Sequence, residues 1–271
     1  VLEGAVLGDD CVLGANSTVR MDVRIWPEKN IEAGSTVNSN IIWGTRLSKF
    51  LFGARGVSGL INLEITPEFL AKLGAAYGTL IGNGKSVAVG CDSLNASKML
   101  KRAFSAGVLS TGVNVYDLGT TTSGIVRYIT RLLQADGGVQ IRQSPDDDTA
   151  LLVEFFDRWG MNIHTNTRRK LENIFTREAF ARTDAEGVGE TVFFSNVIAQ
   201  YIEGVMQTAD FKLIREAQFK VALYYDAHNF TSFLPVLLSR IGCNIITPEG
   251  LEEGRGVKTL EDIAAGIEVL R

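Results

Sequence analysis

The sequence predicts an α/β protein in which a short left-handed β-helix precedes a region of α/β/α architecture. Two observations predict this fold class. Branched apolar residues recur at every sixth position through the first forty residues, and beyond residue 50 short apolar strands alternate with longer helical segments. A period of six fits neither a helix nor one strand, so it indicates short strands stacked coil on coil. Strands separated by helices indicate βαβ units around a mainly parallel sheet.

The six-residue repeat predicts that residues 1–46 form the β-helix. Its repeated apolar positions, with glycines in the intervening turns, are Val1, Leu7, Leu13, Val19, Ile25, Ile31 and Val37. A solenoid requires a cap or a neighbouring domain over its first coil, and nothing precedes Val1 here. We therefore expect the chain to be a piece of a longer protein.

Helix and strand signals alternate in the next segment, which we predict as a domain over residues 50–182. Thr66 and Pro67 mark a helix start, and Gly82-Asn83-Gly84 marks its end. The predicted strands are residues 87–89, 113–118 and 138–141, and the helices between them are residues 96–109 and 123–133. A strand over residues 151–156, reached by a turn, is predicted at the edge of the sheet.

A charged stretch at residues 177–190 indicates an interdomain connection, and we predict a second, incomplete domain over residues 188–271. Its predicted elements are a helix at 191–208, a strand at 219–225, a helix at 231–241, a strand at 243–246 and a helix at 260–270. Because an α/β unit continues with a strand after each helix, we expect the C-terminus to be truncated as well.

Composition excludes several functional classes. The net charge of −4 and the pI near 5.4 argue against a nucleic-acid-binding protein. Cys11, Cys91 and Cys243 are far apart in sequence, which favours neither disulfides nor a zinc site and agrees with a cytoplasmic protein. Apolar runs are shorter than the roughly 20 residues of a membrane span, so no membrane partner is expected.

Three loops could carry chemistry, because ligands of open α/β sheets bind beyond the carboxyl ends of strands. Residues 52–59 form a glycine-rich loop that is either a phosphate cradle or a structural turn. In residues 90–97, Asn95 or Ser97 either caps a helix or binds a ligand. Residues 142–148 place Ser144 on a tight turn, as a nucleophile, a phosphate carrier or simple turn chemistry.

In order and spacing, these loops resemble those of the phosphohexomutases, the family of phosphoglucomutases and phosphomannomutases. That family has an FGTxGxRG segment, a GRDxRxSS segment and a TASHNP phosphoserine loop, and this chain has FGARGVSG, GCDSLNAS and RQSPDD. The resemblance covers residues 50–271, over the family's domain I and most of domain II. It implies that Ser144 is the phosphoserine position. It also implies a hexose phosphate or sugar nucleotide as ligand, contacted by Arg55, Ser58, Asp92, Ser97 and Arg142.

A β-helix directly before such a domain is similar to fusion proteins of the mannose-1-phosphate guanylyltransferase type. That similarity implies a nucleotidyltransferase domain before Val1, further mutase domains after Arg271, Mg²⁺ in the complete parent and a homo-oligomer. Trp26, Ile42 and Trp43 offer an apolar face for assembly. Acyltransferases with this solenoid use a histidine as general base, and none lies in the repeats. His164 and His228 are predicted as helix-cap or loop residues.

The residues around Ser144 depart from the family. Pro145 and Asp146 replace its His and Asn, and Asp147 and Asp148 add two more acids. Carboxylates beside the serine would repel a phosphoryl group, whose transfer depends on stabilising negative charge. These acids could hold a hard cation, although a solvated acidic turn is the favoured interpretation.

The family's cations are also replaced. The arginine of its first loop aligns with Ser58, and the two of its second loop align with Cys91 and Leu94, although Arg55 and Arg142 lie close enough to substitute in part. The chain contains no DGD sequence, so we expect neither the family's Mg²⁺ site nor any cofactor in this fragment.

These departures predict a chain inactive as a mutase, within a sugar-nucleotide biosynthesis protein where the mutase-like region is structural or regulatory. Two alternatives stay open. One is an active phosphohexomutase module that uses Ser144 as phosphate carrier, and the other is a binding module that senses a sugar phosphate without turning it over.

Overall fold

A computed structural model describes residues 1–37, 40–41, 46–47, 51–208, 210–223 and 233–246. The N-terminal segment contains two-residue strands that pair in parallel. They are β1 (Val6–Leu7), β2 (Val12–Leu13), β3 (Thr18–Val19), β4 (Arg24–Ile25), β5 (Asn30–Ile31), β6 (Thr36–Val37) and β7 (Arg46–Leu47). β1 pairs with β4, β2 with β5 and β3 with β6, so each strand meets the strand three repeats later. β7 pairs on the far side of β5.

The backbone follows the same six-residue period. Every sixth residue from Gly4 to Gly34 has a positive φ, and the residues between these two are Asp10, Asn16, Asp22 and Glu28. Glycine, asparagine and aspartate tolerate this left-handed region, which explains their recurrence in the turns. The repeated apolar side chains pack inward, and Val19, Ile25, Ile31 and Val37 are at most 2% exposed. In the first repeat Val1 remains 62% exposed.

A six-stranded mixed sheet forms the centre of the remaining fold. Its strands are β8 (Val57–Leu60), β9 (Ser86–Cys91), β10 (Asn114–Thr120), β11 (Gly137–Gln143), β12 (Ala150–Asp157) and β13 (Thr191–Phe193). The order across the sheet is β13-β10-β9-β11-β12-β8. The first four strands in this order are parallel, β12 runs antiparallel to β11, and β8 runs antiparallel to β12.

Helices cover both faces of this sheet and give three layers. The helices are α1 (Pro67–Ile81), α2 (Asn95–Leu109), α3 (Ser123–Leu132), α4 (Thr165–Arg177), α5 (Val197–Met206), α6 (Lys212–Ala217) and α7 (Phe233–Arg240). α1, α2 and α4 enclose one apolar core with the sheet, while α3, α5 and α7 enclose the other. β14 (Lys220–Ala222) and β15 (Asn244–Ile246) form a separate parallel pair.

Several sequence predictions are confirmed in this region. The Thr66 hydroxyl caps α1 by accepting a hydrogen bond from the Phe69 N–H at 3.2 Å, and Gly82 ends the helix. The predicted strands at 87–89, 113–118 and 138–141 lie within or overlap β9, β10 and β11. His164 is the N-cap of α4, with Nδ1 accepting from the Asn166 N–H at 3.4 Å.

Two predictions about the sheet are wrong. The strand at 151–156 is not at the edge, because β8 pairs with its outer side through the buried Val57. The helix predicted from residue 191 begins at Val197, because Thr191–Phe193 instead pairs with β10 as strand β13. The predicted helix at 260–270 and His228 lie outside the described residues. The proposed division into domains at 50–182 and 188–271 stays a prediction. Within the described part of the chain, no helix combines the length and hydropathy that a membrane span requires.

Candidate functional site

The loops that follow β9 and β11 meet at the carboxyl edge of the sheet. These strands are parallel neighbours, with Cys91 opposite Ile141, so the chain leaves both strands at the same level. The Asp92 carboxylate joins the two loops. Its Oδ2 accepts a hydrogen bond from the Gln143 N–H at 2.6 Å, and its Oδ1 accepts one from the Leu94 N–H at 3.1 Å. Asp92 therefore connects the loop after β9 to the loop that presents Ser144, and its contact with a ligand stays a prediction.

Ser144 lies directly after β11, at the start of the hairpin that leads into β12. Its backbone N–H donates to the Ala150 carbonyl at 2.9 Å, which closes the hairpin. Its Oγ accepts a hydrogen bond from the Asp146 N–H at 3.3 Å, and the residue is 9% exposed. The hydroxyl is thus held in one place beside a backbone donor, at the edge of the sheet where α/β proteins bind ligands.

The acidic residues after Ser144 build the turn. Asp147 Oδ1 accepts hydrogen bonds from the Thr149 N–H at 2.8 Å and from its hydroxyl at 2.6 Å, and these bonds lower the pKa of Asp147. The Gln143 side chain donates to the Asp148 carbonyl at 2.7 Å. In the described ranges no three His, Cys, Asp or Glu side chains gather as a metal-binding group.

Arg55 brings the glycine-rich loop to the serine hairpin. Its guanidinium lies 3.4 Å from Asp146 Oδ2, and both side chains are more than half exposed. Ser58 lies elsewhere, because it is an exposed residue of β8 opposite Leu152 and β12 separates it from the strand that leads to Ser144. The structure thus joins Arg55, and not Ser58, to the turn that carries the serine.

Arg142 is the second cation near Ser144. Arg142 lies in β11, two residues before Ser144. The Arg142 Nε donates to Glu154 Oε2 at 2.8 Å, and the Ser123 hydroxyl donates to the same oxygen. Neither Glu154 nor Ser123 is predicted from the sequence as a site residue. A glutamate inside the apolar run LLVEFF was the available signal, since a buried carboxylate requires a partner.

Among the described residues, the Ser97 side chain makes no hydrogen bond to the serine hairpin. It lies in the first turn of α2 and is fully buried, and its hydroxyl has no partner among the described residues. The prediction that Asn95 or Ser97 caps this helix is wrong, because the N-cap is Leu94 and no side chain makes the capping bond. A ligand-binding role for Ser97 stays a prediction.

A largely buried ion pair lies between α2 and β10. Lys101 of α2 pairs with Asp117 of β10, and Asp117 Oδ1 also accepts from the Gly119 N–H at 2.8 Å. Nearby, burial raises the pKa of the Cys91 thiol to about 11. The ion pair connects helix to sheet, and the protonated thiol packs as a small apolar group.

The fold and this hairpin define an α/β/α domain that presents a serine at the carboxyl edge of its sheet. Residues 49–182 match the family model described as phosphoglucomutase/phosphomannomutase, alpha/beta/alpha domain I. This part of the chain is therefore a domain I of the phosphoglucomutase/phosphomannomutase family.

Curated relatives are mutases. The chain is 32% identical over 203 residues to a phosphoglucosamine/phosphogalactosamine mutase of Sulfurisphaera tokodaii, covering 74% of this chain and 44% of the relative. It is 32% identical over 208 residues to a phosphoglucomutase/phosphomannomutase of Thermococcus kodakarensis, covering 75% and 45%. The chain thus spans a little under half the length of these relatives.

Solved structures agree on the fold. A putative phosphomannomutase from Thermus thermophilus has a TM-score of 0.61 and 26% identity, with 74% of this chain and 46% of that chain covered. A phosphoglucomutase/phosphomannomutase family protein from Burkholderia thailandensis has a TM-score of 0.63 at 18% identity, covering 74% and 44%, which shows the fold alone.

Proposed function

We propose that this chain supplies the phosphate-carrying half of a phosphohexomutase, with Ser144 as the carrier. The observation that supports this most is the location of Ser144, whose hydroxyl accepts a hydrogen bond from the Asp146 N–H at the carboxyl end of β11. Arg142 lies two residues before it in β11, and Arg55 contacts the neighbouring Asp146. The mutases to which the chain is similar suggest hexose or hexosamine phosphates as substrates.

The proposed reaction is a reversible phosphoryl transfer. The Ser144 oxygen forms a bond to phosphorus, the bond between phosphorus and the sugar oxygen breaks, and the proton of the serine hydroxyl passes to the departing sugar oxygen. Return of the phosphoryl group to another hydroxyl of the sugar regenerates the serine. Catalysis of this kind consists mainly of positioning and charge stabilisation. Arg55 and Arg142 are the residues proposed to supply that charge.

A second candidate function rests on a specific observation. Both arginines already face carboxylates, Arg55 with Asp146 and Arg142 with Glu154. A phosphoserine carries about −1.5 to −2 charges at pH 7, so it must compete with these acids for the two cations. If it competes poorly, the domain binds a sugar phosphate as a sensor, or acts as a structural element, without phosphoryl transfer.

Intact-mass spectrometry distinguishes these functions. The chain is incubated with glucose, mannose or glucosamine 1,6-bisphosphate, with and without Mg²⁺, as wild type, as Ser144→Ala and as the control Ser110→Ala at the far end of α2. We expect a phosphate-sized gain in the wild type and the control, and none in Ser144→Ala. A folded wild type that gains no phosphate overturns the mutase proposal. Binding of the bisphosphate by calorimetry then indicates a sensor, and absence of binding indicates a structural role.

We also propose that the N-terminal segment is a left-handed β-helix that supports self-association within a protein of the mannose-1-phosphate guanylyltransferase type. The support is the parallel pairing of each strand with the strand three repeats later and the positive φ at every sixth residue. Trp26 is 55% exposed and offers an apolar contact. Sedimentation velocity should show an oligomer that Trp26→Ser weakens, and a monomeric wild type contradicts this assembly.

A further inference from the structure

Two side chains of α4 hold the glycine-rich loop by its backbone. Glu172 Oε1 accepts hydrogen bonds from the N–H groups of residues 51 and 52, at 2.7 and 3.1 Å. Arg168 Nη1 donates to the carbonyl oxygens of residues 53 and 54, at 3.5 and 3.3 Å. Residues four apart share one face of a helix, so a single turn of α4 binds one backbone group from each of four consecutive residues. Ionised partners make such bonds stronger than neutral ones.

The loop is also held at its two ends, by Phe52 before the turn and by β8 after it. Within the loop, the Gly53 N–H donates to the Gly56 carbonyl at 2.8 Å. The nearest atom to a Cβ added at Gly53 would be the Gly56 carbonyl oxygen, at 3.6 Å. Phe52 anchors one end, with its ring centroid 5.5 Å from that of Phe155 and the Arg168 guanidinium 5.9 Å from its centre. The side chains of α4 therefore contribute the hydrogen bonds that hold the chain immediately before Arg55 to a helix.

A continuous series of contacts connects α4 to the serine. The loop held by Glu172 and Arg168 leads directly into Arg55, Arg55 reaches Asp146 Oδ2, and the Asp146 N–H donates to Ser144 Oγ. The ion pair between Arg55 and Asp146 is exposed, and exposed pairs contribute little free energy. The chain before Arg55 is held by the backbone bonds to α4, and the chain after it by the pairing of β8 with β12.

We propose that Arg168 and Glu172 are positioning residues that hold Arg55 beside Ser144. Their part in phosphoryl transfer rests on the proposed function. When Ser144 carries a phosphoryl group, Arg55 exchanges the Asp146 carboxylate for the phosphate oxygens, which accept stronger hydrogen bonds. Among the described residues, the hydrogen bonds of Arg168 and Glu172 go to the backbone of residues 51–54 and not to Ser144.

A double-mutant cycle tests the inference in the full chain. The rate of phosphate gain at Ser144 is measured for Arg55→Ala, Arg168→Ala and the double variant. We expect each single change to slow the gain at least tenfold, since small displacements of a catalytic group are costly, and the double variant to be no slower than Arg55→Ala. The control Arg169→Ala, at an exposed neighbouring position on α4, should match the wild type. Additive losses in the cycle overturn the inference.

Two further measurements do not depend on phosphoryl transfer. Hydrogen exchange at the amides of residues 51 and 52 should accelerate in Glu172→Ala, and less in Glu172→Gln, which keeps an acceptor oxygen. The NMR signal of the Arg55 guanidinium should shift in Arg168→Ala and stay unchanged in Arg169→Ala. An Arg55 signal that is unmoved in Arg168→Ala overturns the positioning role. If the wild type gains no phosphate while these signals respond as expected, only the proposed function fails.

Discussion

Replacing Gly107 by alanine should destabilise the protein, although alanine is the better helix former. Gly107 lies in α2 where this helix crosses α1, and a Cβ at this position would be 2.0 Å from the carbonyl oxygen of Ala71. Real Cβ contacts are essentially never shorter than 3.0 Å, so the two helices must separate by about 1 Å. The same holds at the reciprocal position on α1. A Cβ added at Gly74 would be 2.1 Å from the Phe104 carbonyl oxygen, so the two helices are in backbone contact at both glycines.

The expected magnitude follows from that separation. Overpacking of this kind costs about 1–3 kcal/mol, and a backbone oxygen cannot rotate away, which places the cost near 3 kcal/mol. The higher helix propensity of alanine offsets about 1 kcal/mol of this cost. The net loss of unfolding free energy is therefore about 2 kcal/mol. With a urea m-value near 2 kcal/mol/M, the unfolding midpoint followed by circular dichroism should fall by about 1 M.

Gly124 provides the matched control. It lies in the first turn of α3, and the nearest atom to an added Cβ is the Tyr201 hydroxyl oxygen at 3.9 Å. Gly124→Ala should therefore leave the midpoint unchanged or raise it slightly, because only the propensity contributes. A midpoint for Gly107→Ala equal to that of the wild type or of Gly124→Ala would refute the close-crossing argument.

Two further predictions concern the ion pairs and the buried thiol. Lys101→Ala leaves the largely buried Asp117 without its cation and with only the Gly119 N–H as a hydrogen-bond donor among the described residues, so it should lower the unfolding free energy by about 3 kcal/mol in urea titrations. Lys72→Ala, which breaks an exposed pair, should cost less than about 1 kcal/mol. A destabilised Lys72→Ala and an unaffected Lys101→Ala would contradict this ranking. Burial raises the pKa of Cys91 to about 11, so the stability it contributes is present below about pH 9 and is lost as the pH rises toward 11. At pH 8 the native thiol should resist labelling by a disulfide reagent. Cys91→Ala should leave the labelling of the native protein unchanged, while Cys11→Ala should reduce it. The reverse pattern would refute the conclusion that the Cys91 thiol is buried and protonated.

Elements with local signals were predictable from the sequence. The Thr66 cap and Gly82 define α1 through interactions between near neighbours, and the recurring turn residues of the first repeats reflect a backbone conformation that each residue adopts by itself. Short strands were less predictable. Val57 and Thr191 begin strands of only a few residues, whose conformation depends on the distant strands with which they pair.

The sequence by itself determined the six-residue period, the alternation of strands and helices and the position of Ser144, because each depends on residues that are close together in the chain. Only the tertiary structure decided that Arg55 joins Asp146, that Arg142 joins Glu154, and that α4 holds the glycine-rich loop. The physical reason is that these contacts connect segments far apart in sequence, whose proximity depends on the order β9-β11-β12-β8 of the strands in the sheet and on the helices that cover it.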